Sequence, residues 1–236
     1  MTSALTAHTV ARAELTEPDI GEMFLLFQEH FDGAAPEIFQ RDLSTKDWVI
    51  LLRDAEAGCL QGFSTLALYE TDVCGRRISV VYSGDTIIRP ACWGTPELPR
   101  RWIKTVLEKS AHMPQPLYWL LISSGYKTYR FLIVFYNEFY PRYDRPTPPE
   151  IQALLDHLAA ERFGPDYHCD LGIVRFAEGA TPLRAGVAEV TGERLQDPHI
   201  AFYVAHNPGH AQGDELVCLA RVHPDNFTAA GRRMAR

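Results

Sequence analysis

The chain lacks paired cysteines. Its five, Cys59, Cys74, Cys92, Cys169 and Cys218, are an odd number with no close pair. That spacing excludes a disulfide framework and a zinc ribbon, and it predicts reduced, mostly buried thiols. Long apolar runs are also missing. The most apolar stretch, Phe131 to Phe135, falls far short of the roughly 18 residues of a membrane span. The start, Met1-Thr2-Ser3-Ala4-Leu5, has no basic segment leading into an apolar one. No signal peptide is evident, and a soluble cytoplasmic protein is the expectation. Positive charge is scarce: 23 Lys and Arg stand against 30 Asp and Glu, a net charge of −7. General nucleic-acid binding needs a basic footprint, so no nucleic-acid partner is expected. A small anionic ligand needs only a local patch and is not excluded. There is no G-x-S-x-G elbow, phosphate-loop or H-E-x-x-H motif, no internal repeat and no low-complexity segment. His206 and His210 are four apart, but Pro208 and Gly209 lie between them. Without a helix that spacing does not put both rings on one face, so no metal is expected.

What is present is an ordinary globular composition, 46% hydrophobic in 236 residues, enough for a sizeable core. Thr9 to Leu15 alternates as a first strand. Pro18 to Phe31 carries Ile20, Met23, Phe24, Phe27 and Phe31 at helical spacing, and Pro18 suits the first helical turn. A short helix is predicted over Ala35 to Leu43. Trp48 to Arg53, Cys59 to Thr71 and Arg76 to Ile88 read as three strands with links too short for parallel pairing. The turn Asp72-Val73-Cys74-Gly75 marks a hairpin. A helix follows over Pro96 to Lys109, with Thr95 as its cap. Pro116 to Ile122 is almost continuously apolar, so it is a central strand covered on both faces. Tyr126 to Tyr140 is a helix apolar nearly all round. The tail gives a helix over Pro149 to Phe163 and strands over Cys169 to Phe176, His199 to Val204 and Leu216 to Val222. Arg142 to Pro149, with three prolines, is the one candidate linker.

Two polar knots sit at strand-to-helix junctions. The first is Ser83-Gly84-Asp85-Thr86 followed by Arg89-Pro90-Ala91-Cys92-Trp93-Gly94; the second is Ser123-Ser124-Gly125-Tyr126. Gly84 within a strand marks a bulge. Asp85 is either a turn carboxylate or a site acid, and an apolar setting such as Tyr82 and Trp93 would raise its pKa. Ser123 and Ser124 are natural helix caps.

The element order resembles the GNAT acyltransferase superfamily, as a divergent member. The likeness is good over residues 8–140 and loose in the tail. It implies an α/β (α+β) fold: a mixed, mostly antiparallel central sheet flanked by helices, with a C-terminal extension. On this reading residues 8–145 form the core, and residues 146–236 complete and extend the sheet in one compact domain. Family members end the fourth strand in a pattern like V-x-P-x-x-[RQ]-x-x-G-x-[GA], which Ile88, Pro90 and Gly94 echo. Trp93 stands about where Arg or Gln belongs, and the second glycine is missing. The resemblance implies an N-acyltransferase with no metal. It would move an acyl group from acyl-CoA, or from the phosphopantetheine of an acyl carrier protein, to a small-molecule amine or amino acid. The implied donor-binding residues are Ser83, Gly84, Arg89, Trp93, Gly94, Arg100, Arg101, Ser123 and Ser124. Arg89, Arg100, Arg101 and Lys104 would supply anion contacts or a docking face for an acidic carrier protein. Asp85 is the implied base, and Tyr129, with Tyr126 as the alternative, the acid for the leaving thiolate. A non-catalytic binding module, or other thioester chemistry on the same fold, is the competing expectation.

Overall fold

The computed structural model describes residues 4–177, 181–187 and 189–236. One sheet of eight strands runs through the molecule in the order β1-β2-β3-β4-β5-β8-β7-β6. Strand β1 (Leu5–Ala11) leads to helices α1 (Glu17–His30) and α2 (Pro36–Ser44). The meander β2 (Trp48–Asp54), β3 (Leu60–Val73) and β4 (Arg76–Ile88) follows. Helix α3 (Glu97–Ser110), strand β5 (Leu117–Ser123) and helix α4 (Tyr126–Phe135) come next. The rest comprises α5 (Pro149–Phe163), β6 (Tyr167–His168), β7 (Ile173–Val174), α6 (Pro198–His206), β8 (Glu215–Arg221) and α7 (Ala229–Met234).

The local chemistry explains most of these elements. Helix α1 opens with a capping box: Thr16 accepts from the Asp19 amide, and the Asp19 carboxylate accepts from the Thr16 amide. The β3–β4 hairpin turns through Cys74 and Gly75, both at positive φ, 50° and 76°. Two successive left-handed residues match the twist of a tight hairpin. The front half, β1 to β4, is antiparallel, as its short links require. The β4–β5 pair is parallel and is joined by the α3 crossover.

Four elements differ from the sequence reading. The first strand, expected over Thr9 to Leu15, runs over Leu5–Ala11 and gives way to a 3-10 turn at Arg12–Glu14. Residues 199–204, expected as a strand, lie inside helix α6, which starts at Pro198 with Asp197 accepting from the His199 amide. A short apolar run does not distinguish strand from helix, and the Asp-Pro start decides it. Helix α4 ends at Phe135, not Tyr140. Tyr136 and Tyr140 leave it as extended residues that bridge to Phe227 and Leu219, so the apolar run serves two structures. Of the strand expected over residues 169–176, only Ile173–Val174 pairs.

The sheet parts in one place. Strands β4 and β5 are paired from Ser79↔Leu117 to Ser83↔Leu121. Beyond that point β4 runs on to Ile88 along β3, while β5 follows β8 to Ser123. This mixed, mostly antiparallel sheet flanked by helices is the architecture the resemblance implies. No helix among the described residues is long and apolar enough to cross a membrane.

Candidate functional site

A cleft of about 730 Å³ opens where the two strands diverge. Its floor is the far end of β4. There, Leu66 pairs with Ser83 and Ser64 with Thr86. One residue of β3, Thr65, therefore faces two of β4, Gly84 and Asp85, which is a β-bulge. Gly84 is required at that spot. A Cβ there would lie 2.5 Å from Thr65 Oγ1 and 2.6 Å from Lys46 Cε. Past the bulge the Arg89 amide donates to Gln61 O of β3. Peptide groups alternate along an extended chain, so those of Ile88 and Thr86 face the edge that β5 has left. The Ile88 carbonyl is met there by Trp93 Nε1 at 2.8 Å and by His30 Nε2 at 3.3 Å.

Asp85 stands beside this edge. Burial pushes its pKa up to about 7, helped by Asp42 and opposed by the Lys46 ammonium. Lys46 has no exposed side-chain surface and pairs with Asp42 Oδ1 at 2.6 Å. A second acid, Glu215 at the start of β8, also lines the cleft. Burial first, then the Asp85 charge and Asp42, raise it to about 8 against a hydrogen bond from Ser124. Asp85 thus raises Glu215, while Asp85 is itself raised by burial and Asp42, and both carboxyls hold a proton up to near-neutral pH. Glu215 did not emerge from the sequence, because the strand was expected to start at Leu216 and its partner was unknown. The available signal was a charged pair, Asp214-Glu215, opening an apolar run.

Gly84, Asp85, Trp93, Gly94, Ser124 and Tyr126 all line the cleft. Tyr126 comes first in α4 and faces it, whereas Tyr129, the expected acid, does not. Tyr129 is fully buried and donates to Pro141 O at 2.9 Å. Its ring packs on Phe139 and Tyr203, so it is a core residue. Ser83 is likewise not a ligand group: its hydroxyl accepts from the indoles of Trp102 (3.1 Å) and Trp119 (2.9 Å). Ser123 Oγ donates to Gly125 O at 2.8 Å and is buried. The three arginines expected as anion contacts are engaged elsewhere. Arg89 pairs with Glu29, Arg100 with Glu97, and Arg101 with Thr9 Oγ1 and Glu108.

Other cations line the cleft instead: Arg41, Lys127, Arg130 and Arg194. Lys127 Nζ lies 3.0 Å from the centroid of the Trp93 ring and donates to Val187 O at 2.5 Å. Burial, and then the nearby Arg194, push its pKa down to about 8. The β4–α3 turn is less open to an anion than expected. The amides of Cys92, Trp93 and Thr95 already bond to the carbonyls of Arg89, Pro90 and Cys92. The β4 edge beyond Ser83 is not paired with β5, and its Ile88 carbonyl is capped by Trp93 and His30. A diphosphate would rely on side chains more than on those turn amides.

No family model matches the chain, and no curated protein does. Solved structures resemble it at low identity. A conserved Enterococcus faecalis protein, described as a probable N-acyltransferase, is 17% identical with a TM-score of 0.41, over 58% of this chain and 33% of its own. The chain thus spans about a third of that protein's length. The Escherichia coli GNAT family N-acetyltransferase YhbS, in complex with CoA, gives 16% and 0.39, over 56% of this chain and 70% of its own. A Trypanosoma brucei acetyltransferase gives 16% and 0.41, over 61% of this chain and 100% of its own. Likeness at this level carries no activity across. By its own strand order, its parting between β4 and β5 and its bulge, the chain has a GNAT-like architecture.

Proposed function

We propose that the protein is an acyltransferase. It takes an acyl group from a thioester on a pantetheine arm, of CoA or of an acyl carrier protein, and gives it to the amine of a small molecule or amino acid. One observation carries this reading: an uncovered strand edge, with backbone N–H groups turned outward, next to a carboxyl whose pKa is raised towards neutrality.

The chemistry needs a polarised carbonyl, a base for the amine and an acid for the thiol. The outward N–H groups at Thr86 and Ile88 suit the carbonyl oxygen. Asp85, in its ionised form, takes the proton of the attacking amine. The C–N bond forms, the C–S bond breaks, and the Tyr126 hydroxyl protonates the departing sulfur. Lys127, Arg130 and Arg194 suit the phosphate or carboxylate of the substrates, for they line the cleft and pair with no carboxylate among the described residues.

The test is thiol release and product mass for the pure protein, with acyl-CoA and acyl-carrier donors against a panel of amines. Amide product is expected from at least one donor class. Asp85→Asn should lower turnover by about 100-fold or more, the usual worth of a general base, with donor binding little changed. Thiol release that needs no amine would point to thioester hydrolysis. Tight donor binding without any turnover would mean a binding module.

A further inference from the structure

The wall of the cleft is far more apolar than an acetyl group requires. Phe27 stacks on Phe31 with centroids 4.6 Å apart and tilts against Phe39 at 5.4 Å. Phe39 in turn meets Phe63 edge-on at 6.4 Å, which roots the wall in the core under α1 and α2. Ile38 continues it on α2, and Phe131 faces it from α4. Leu183 closes the row, held by a bridge to Phe31 and by the Arg184 amide donating to His30 O. Phe31, Ile38, Phe131 and Leu183 are only partly buried by the protein itself. The wall is therefore pre-formed, and it begins beside Asp85, where the reacting carbonyl would sit.

We propose that this wall holds the aliphatic chain of the acyl donor, so that the substrate is a medium- or long-chain acyl thioester and not an acetyl one. This rests on the acyltransferase reading and extends it. A chain leading away from the carbonyl would meet the side chains of Phe31 and Ile38, Phe131 and Leu183, with Arg41 and Asp42 of α2 lining the same cleft. Each methylene that enters such a wall is worth about fourfold in affinity.

S-acyl-pantetheine thioesters from acetyl to dodecanoyl test this without knowledge of the acceptor or of the arm's carrier. Binding is measured by calorimetry on the full chain, beside a parallel series of alkylamines from propyl to decyl. Affinity should rise about fourfold per methylene over at least four methylenes in the acyl series. Ile38→Trp should flatten that rise, and a melting curve like that of the parent would show the variant folded. If Ile38→Trp fails to fold, Leu183→Trp supplies the same reading. A flat acyl series, or a rise confined to the alkylamines, would overturn the proposal and leave the acyltransferase reading standing. No binding by any pantetheine thioester, acetyl included, would bring down that reading itself.

Discussion

Gly84 shows how much one missing side chain decides. It lets the bulge sit against Thr65 and Lys46, and Thr65 Oγ1 is buried there with no hydrogen-bond partner among the described residues. Gly84→Ala should cost roughly 1–3 kcal/mol by overpacking, read as a lower urea midpoint at unchanged slope. The two tyrosines of α4 make a sharper pair. Tyr129→Phe removes a buried hydrogen bond to Pro141 O, worth about 1 kcal/mol of stability, and should leave turnover nearly intact. Tyr126→Phe should do the reverse. Asp85 adds a pH signature. Its pKa is about 7 when folded against an ordinary value of 3.8, so the folded state holds a proton that the unfolded chain releases. The stability that this gives is fully present below about pH 4 and is lost as pH rises through 7. Glu215 extends the loss to about pH 8. Asp85→Asn removes its share of that loss, so its urea midpoint relative to the parent should climb between pH 5 and pH 8.5. A difference that stays constant with pH would show that Asp85 is not held up in this way.

At the scale of elements, the regular parts of the chain were legible and the crossings were not. Strand β4 has the ends its sequence predicts, because a hairpin signal bounds it on one side and Pro90 on the other. Helix α5 likewise starts at Pro149 and stops at Gly164, which has positive φ. The tyrosine assignment failed for a reason one element away. Residues 199–204 read as a strand, so nothing in the sequence told that a helix would cover α4. In the structure α6 brings Tyr203 against Tyr129 and turns that tyrosine into core. Asp85 stood out as the acid next to the strand glycine, Gly84, that marks the bulge. Glu215 did not, since its meaning depends on which strand lies next to β5. Helix α6 is pinned through Asn207, whose Nδ2 reaches Asp214 O at 2.9 Å, Tyr203 Oη at 3.3 Å and Ser123 O at 3.4 Å. Asn207 is fully buried. Asn207→Ala should lower stability by about 1–3 kcal/mol, the cost of stranding buried partners. It should also loosen the Ser123–Gly125 junction, seen as faster amide exchange there.

For the whole molecule, what matters is that one continuous sheet is forced apart at a single point. The two halves of the chain meet there: β4 belongs to the antiparallel meander, and β5 is held on its other side by β8, from Tyr118↔Arg221 to Ser123↔Leu216. Strand β8 holds β5 on its far side and brings Glu215 into the cleft that Asp85 lines, so a residue far out in the tail faces the parting. Hydrogen exchange at the parting tests this account most directly. A non-hydrolysable S-alkyl-pantetheine thioether is added at saturation, and amide exchange is followed by mass spectrometry. The account predicts slowed exchange in peptides covering residues 84–94 and 123–128, with the Thr86 and Ile88 amides among the protected groups. Unchanged exchange in both stretches, or protection confined to other parts of the chain, would contradict it.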